Sequence, residues 1–510
     1  MPSTALRRTF SAVILFAYAG IGTAGADDSP PPVQVVTPAG QKAGASQTPS
    51  MPSAAEQHRL PTDSSTRQTL ELPGRTLSFL ATAGSIRLFG DKGEPQADIA
   101  YTSYQLDGTD HGTRPVTFFF NGGPGSSSAW LQLGNAGPWR LPINAAEVTP
   151  STFPEASPNA ETWLDFSDLV FLDPVGTGYS RFLGTDDDVR KRLYSVDGDV
   201  NALAVVIRRW LEKHDRLLSP KYIAGESYGG IRGPKIVHQL QMREGIGVKG
   251  LIMISPVFDS EARAGLLQYV AALPSYAATF RELKGPVKRD DLIEVEAYAR
   301  GEFLVDLMKG QQDKEATTRL ADKAAALTGI DQATSRRLAG RIKLAEFRRE
   351  FDRKSLKLIG NYDASVRGLD PYPDSNFKLS GDASSDTLLA PLTSASVDLL
   401  TRKLKWRPDG SYELINRTVG QAWDFGRSPP ESVSQLRQIL ATDRKLKLLV
   451  GHGLFDLVTP YFGSQIVLDQ LPPFASAPRV KLVVYPGGHM FYSRDASRQA
   501  FRAEVEAMMK

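Results

Sequence analysis

The stretch Gly225-Glu226-Ser227-Tyr228-Gly229 constrains this chain more than any other. A serine between two glycines, after a short apolar run and before a helical pattern, is the signature of a sharp strand-to-helix turn that pushes the hydroxyl out of a sheet. Close backbone contacts in such a turn favour residues without side chains at the flanking positions, 225 and 229. The context agrees. Lys221 to Ala224 reads as the end of a strand, and Ile231 to Met242 as a helix with Ile231, Ile236, Val237 and Leu240 on one side. With 44 glycines in the chain the pattern can also arise by chance, so the other segments must decide.

Those segments alternate. Arg75 to Leu88 and Ala97 to Leu106 change apolar and polar residues in turn, as an antiparallel hairpin does. Thr117-Phe118-Phe119-Phe120, Asp168 to Asp173, Val248 to Ser255, Leu446 to Val450 and Val480 to Tyr485 are continuous apolar runs, the pattern of strands covered on both faces. Helical periodicity separates several of them: Val196 to Leu217, the helix after Ser227, Pro460 to Leu471 and Ala496 to Met509. The reading is an α/β fold, a central mostly parallel sheet with helices on both faces. Between 261 and 443 the alternation stops. The charged, helix-periodic stretches Asp290 to Lys309, Lys314 to Leu327 and Gln332 to Ile359 are expected there as a helical cap inserted between two sheet strands.

Arg7 and Arg8 precede the apolar run Phe10 to Ile21, and Ala24-Gly25-Ala26 offers small residues for cleavage. Residues 1–26 are therefore expected to be a signal peptide and the protein to be exported, periplasmic or secreted, with no stable membrane anchor after cleavage. Residues 27–70, rich in Pro, Ser, Thr, Ala and Gln, are expected to be a disordered linker, leaving 71–510 as the folded domain. The chain has no cysteine, which excludes disulfides, thiolate metal sites and a thiol nucleophile. A net charge of +3 on 510 residues gives no reason to expect nucleic acid as a partner. Oligomeric state is left open.

A nucleophilic serine needs a base, and the base an orienting carboxylate. In this fold class they follow in the chain order Ser, Asp, His. Asp456 and His489 lie in glycine-rich loops after two late strands, Gly451-His452-Gly453-Leu454-Phe455-Asp456 and Pro486-Gly487-Gly488-His489-Met490. The candidates are Ser227 as nucleophile, His489 as base and Asp456 as its orienting group. His452, which precedes Asp456, is read as structural. Asn121-Gly122-Gly123-Pro124-Gly125 follows an early buried strand and supplies a loop of exposed backbone N–H groups of the kind that binds an oxyanion.

Together, Asn-Gly-Gly-Pro-Gly-Ser-Ser at 121–127, Gly-Glu-Ser-Tyr-Gly-Gly at 225–230 and Gly-Gly-His-Met at 487–490 resemble the serine carboxypeptidase family, as do Asn159, Trp163 and the run from Phe171 to Ser180. The resemblance covers roughly 72–260 and 445–510 and does not extend to the cap. It implies an α/β-hydrolase fold and hydrolysis of the last peptide bond of a substrate with a free C-terminus, through an acyl-enzyme, with neither metal nor organic cofactor. It implies an oxyanion hole at the N–H groups of Gly123 and Tyr228. Asn121 and Glu226 would bind the substrate α-carboxylate, and Met490 would line the subsite of the departing residue. Two facing carboxylates cannot both stay ionised, so Glu226 needs a proton for this role, which favours mildly acidic pH. The chain departs from the family at Asn135, where a second glutamate is common, and at Ser126, where cysteine is usual. An esterase or acyltransferase with the same triad is the nearest alternative, and a non-catalytic binding protein on the same scaffold the more distant one.

Overall fold

The structure, a computed structural model, describes residues 59–510 apart from 145–147, 153–154, 377 and 474–478. The expected signal peptide, and the linker as far as residue 58, lie outside the described residues.

The sheet strands are β1 (Ser64–Leu72), β2 (Arg75–Phe89), β3 (Pro95–Leu106), β4 (Val116–Phe120), β5 (Asp168–Leu172), β6 (Lys221–Glu226), β7 (Gly250–Ile254), β8 (Lys447–Gly453) and β9 (Val480–Tyr485). Their order is β1-β2-β3-β5-β4-β6-β7-β8-β9, with a two-residue strand, Arg181–Phe182, beside β3. β1 to β3 pair antiparallel, and β3 meets β5 antiparallel. From β5 to β9 every pairing is parallel. This is the mostly parallel sheet that the alternating pattern implied, in the α/β-hydrolase arrangement that the resemblance implied.

The continuous apolar runs are explained by two cores, one on each face of the sheet. Phe119, Phe171, Ile252 and Leu449 point into one with Trp163 and Phe501. Phe118, Phe120, Val170, Leu251 and Met253 point into the other with Leu203, Ile207, Trp210 and Ile236. Period-two alternation is present, but both faces are apolar, so the sequence shows only a run.

Helix α1 (Val196–Lys213) is capped by the Ser195 hydroxyl, which accepts from Gly198 N–H, and ends four residues before the expected Leu217. Helix α2 (Gly229–Met242) leaves the elbow directly. The edge of the sheet where the parallel strands begin is tied by buried ions. Asp168 at the head of β5 accepts from Arg114, just before β4, at 2.6 Å and also pairs with Arg216, which lies before β6. The opposite edge, where β4, β6, β8 and β9 end, is left for chemistry.

Two expectations fail. The linker does not run to residue 70, because β1 starts at Ser64 and pairs with β2 along its whole length, from Ser64 opposite Ala83 to Leu72 opposite Arg75. Its composition is polar because only Leu70 and Leu72 are buried, and backbone pairing carries the rest. Lys213 also holds Asp63 at 2.6 Å.

The stretch 261–443 is also not one helical cap. Helix α3 (Leu267–Glu282), with the segments from Arg289 to Lys309 and helix α4 (Lys314–Thr328), makes a separate core that includes Tyr276, Leu320, Phe347, Phe455 and Tyr461. Helix α5 (Asp386–Asp398) joins the sheet core of Phe119 and Trp163, and helix α6 (Val433–Thr442) packs on the other face beside α2. The expected helix from Gln332 to Ile359 is broken at Ala339 and Gly340, both left-handed at φ 52° and 69°, and ends in a short strand, Lys357–Ile359. α3 was not legible because it is apolar on nearly all sides and so lacks a periodic stripe. The chain closes with α7 (Tyr461–Asp469) and α8 (Asp495–Met509).

Candidate active site

Ser227 sits between the end of β6 and the start of α2 with φ 61°, a strained value for a residue with a Cβ. The surroundings hold it there: Ser227 N–H donates to Ile254 O at 3.0 Å, and its carbonyl accepts from Gly230 at 2.9 Å and Val257 at 3.0 Å. The close approaches fall at Gly225 and Gly230. A Cβ on Gly225 would lie 2.8 Å from the Phe120 ring, and one on Gly230 would lie 2.5 Å from both Pro256 Cβ and Val257 O. Gly229, expected to be crowded, has nothing nearer than 3.6 Å.

Asp456 and His489 come together in the loops after β8 and β9. His489 Nδ1 lies 2.7 Å from Asp456 Oδ2. Asp456 is fully buried and also accepts from Val458 N–H and Thr459 N–H, each at 2.9 Å, and from Thr459 Oγ1 at 2.6 Å. Burial opposes its charge, but the imidazole and these donors outweigh burial and hold the carboxyl below the usual carboxylate range. For His489, burial likewise disfavours the charged form, and the Asp456 carboxylate more than offsets it, so the imidazole titrates above 6.5. Main-chain contacts fix the ring: His489 N–H donates to Tyr362 O at 2.5 Å, and Ser255 Oγ donates to His489 O at 2.7 Å. The Ser227 hydroxyl makes no hydrogen bond to this imidazole here; in unliganded sites that link is often long and tightens on substrate binding.

The loop after β4 lies directly on the elbow. Gly122 is so close that a Cβ there would meet Tyr228 N at 2.5 Å and Glu226 O at 2.7 Å. Gly123 N–H and Tyr228 N–H have no protein acceptor among the described residues. Their placement beside Ser227 suits a developing oxyanion, with α2 adding its N-terminal dipole. Behind the loop, buried Arg232 donates to Asn121 O at 2.5 Å and pairs with Asp199 at 2.5 Å. Gly122→Ala is expected to push the loop off the elbow and lower kcat on the order of 10²- to 10³-fold, the cost of losing one oxyanion donor. Steady-state kinetics on an ester, with the melting temperature as fold control, measures this.

Glu226 is 4% exposed. Asn121 Nδ2 donates to its Oε1 at 2.9 Å, and the Tyr492 hydroxyl to its Oε2 at 2.6 Å. Burial pushes the carboxyl up to about 7, against the opposing pull of His489 and of these two donors. Asn135 lies in a π-helical turn, Gln132–Ala136, with its backbone carbonyl held by Asn159 Nδ2 at 2.7 Å. Its side-chain amide is buried with no hydrogen-bond partner, so it does not bond Glu226. Met490, next to the imidazole, is buried at 8% exposure. His452 is fully buried, 2.9 Å from Ser464 Oγ, and burial drives its pKa down to about 3, so it stays neutral and apart from the triad. Among the described residues no group of His, Asp or Glu side chains is placed to hold a metal ion.

Thr459 and Tyr492 were not identified from sequence. Thr459 had a faint signal, since a hydroxyl three residues after an aspartate commonly closes a turn on it. Tyr492 had none beyond standing three residues after His489.

Residues 99–284 match the family model described as serine carboxypeptidase. Curated relatives include two Arabidopsis thaliana proteins. Serine carboxypeptidase-like 13 is 31% identical over 29% of this chain and 34% of its own length. Serine carboxypeptidase-like 5 is 30% identical over 28% of this chain and 33% of its own length. The chain thus spans about a third of the curated relatives it matches. Among solved structures, a prohormone-processing carboxypeptidase from Saccharomyces cerevisiae superposes with a TM-score of 0.54 and 15% identity, over 84% of this chain and 91% of that one, a likeness of fold. The matched stretch, 99–284, contains both the loop after β4 and the elbow at Ser227 and is similar to the serine carboxypeptidase family, and the described sheet has the α/β-hydrolase plan.

Proposed function

We propose that the protein is an exported serine carboxypeptidase that removes C-terminal residues from peptides. The observation that carries the reading is the buried Asn121–Glu226 hydrogen bond directly beside Ser227, a carboxyl group able to keep a proton near neutrality. Ser227 Oγ attacks the carbonyl of the last peptide bond while His489 Nε2 takes its proton. Gly123 and Tyr228 N–H groups stabilise the oxyanion. The imidazolium, held by Asp456, passes the proton to the departing amine, and water then cleaves the acyl-enzyme by the same route. Protonated Glu226 and the Asn121 amide receive the substrate's terminal carboxylate, and Met490 borders the departing residue. Export rests on the arginines and apolar run of residues 7–21. No described helix is long and apolar enough to cross a membrane.

A blocked dipeptide and its C-terminal amide test the reading. The acid is expected to be cleaved with a much lower KM than the amide. Equal cleavage of both would favour an esterase or acyltransferase.

The pH dependence follows from two groups with opposite requirements. The base must be neutral, so activity rises as pH increases through the raised imidazole pKa. Carboxylate binding needs the proton on Glu226, so activity on peptides falls as pH passes about 7. Productive enzyme therefore carries a proton on Glu226 and none on His489, and peptides give a narrow bell. An ester of the same acyl group needs only the neutral imidazole, so its rate rises to a plateau. Parallel kcat/KM profiles for peptide and ester check this; superimposable profiles would refute it.

A further inference from the structure

We infer that Tyr492 is the positioning residue for Glu226: its hydroxyl holds the carboxyl opposite Asn121, favours its ionised form, and so sets the upper pH limit of carboxylate binding. The substrate side of this inference rests on the carboxypeptidase reading; the contact itself does not.

The hydroxyl is well fixed. Tyr492 is fully buried in the turn Phe491–Ser493, and its carbonyl accepts from buried Arg498 at 3.0 Å. The ring lies against Gly134, where a Cβ would come within 3.1 Å of Tyr492 Cε2, so it cannot swing without moving the π-helical turn. The hydroxyl therefore meets Glu226 Oε2 in one geometry, at 2.6 Å.

A phenol acts differently from the second carboxylate common in the family. Two carboxyls share a proton, and each resists the other's charge. Tyr492, whose own pKa burial drives well above 10, stays protonated and donates. Donation to a carboxylate stabilises the charged form, so Tyr492 opposes burial. Asn135, at the position of the second glutamate, contributes no hydrogen bond. The other groups acting on Glu226 are His489 and Asp456, from the loops after β9 and β8, and Asn121 after β4. The buried Arg232–Asp199 pair reaches it only through the Asn121 main chain. Of these side chains, only Asn121 and Tyr492 touch the carboxyl.

Tyr492→Phe keeps the ring and removes the donor. On a blocked dipeptide, the alkaline limb of kcat/KM is expected to move up by about one pH unit, mostly through KM, the usual size for one charge-assisted hydrogen bond. The methyl ester's profile is expected to keep its position. A limb that stays put, or peptide and ester profiles that move together, would overturn the inference. Infrared titration of the Glu226 carboxylic acid band, assigned by its loss in Glu226→Gln, reads the same effect without substrate. Its midpoint should rise in Tyr492→Phe, and an unchanged midpoint would also overturn the inference. Should Tyr492→Phe fold poorly, 3-fluorotyrosine at 492, a stronger donor, should move the midpoint down; no movement would refute the inference. Wild-type enzyme cleaving acid and amide alike would defeat the substrate reading and leave the infrared result to decide the Tyr492 contact.

Discussion

Ser227→Ala is expected to lower kcat on the order of 10⁵- to 10⁶-fold without changing the fold. Alanine keeps the Cβ, so the strain at φ 61° is the same before and after, and the hydrogen bonds that hold the turn are main-chain ones. The melting temperature should hardly move. The loss is large because in the proposed mechanism the serine oxygen forms the covalent bond. Covalent labelling by a fluorophosphonate should disappear in the same variant. His489→Ala should cost about as much, and the double variant little more than either alone, since a nucleophile without its base and a base without its nucleophile fail at the same step. Wild-type turnover in Ser227→Ala, or losses that multiply in the double variant, would remove Ser227 from the chemistry.

Asp456→Asn should lower kcat about 10⁴-fold, and the reason lies in the acceptor count. The carboxylate receives four donors, two on each oxygen. An asparagine has one acceptor oxygen and one donor NH₂. Keeping its oxygen on the Val458 and Thr459 amides turns the NH₂ toward His489 Nδ1. That nitrogen must then accept, which moves the ring proton to Nε2, the atom that takes a proton from Ser227 in the proposed mechanism. The enzyme would keep its shape and carry the wrong tautomer. Nitrogen-15 shifts of the imidazole report which nitrogen is protonated, alongside kcat. An unchanged tautomer with full activity would show that Asp456 only packs.

The three candidate residues, Ser227, Asp456 and His489, were legible in the sequence because each sits where a strand ends in a glycine-rich loop, and both features are local. Strand order and loop position bring 227, 456 and 489 to one edge of the sheet. The partners that tune the site were harder to see. Thr459, Ser255 and Tyr492 act through side-chain hydroxyls, carried by common residue types whose place in the sequence says little about what they will meet. The crowded glycine proved to be Gly230 and not Gly229, because the pressure comes from Pro256 and Val257, beyond the motif. β1 escaped notice for a related reason. An edge strand held by main-chain pairing, with two buried leucines, has the composition of a linker.

His489 depends on more than the loop that carries it. Its amide rests on the carbonyl of Tyr362, whose ring meets the imidazole edge-on at 5.3 Å, and Gly488 presses so closely there that a Cβ would lie 2.1 Å from that carbonyl. Tyr362 belongs to the stretch inserted between β7 and β8. An inserted stretch, part of which builds a core of its own, is thus also the bearing on which His489 rests. Changes made anywhere in that stretch that move Tyr362 would therefore shift the aim of the imidazole, even when they lie far from it in the chain.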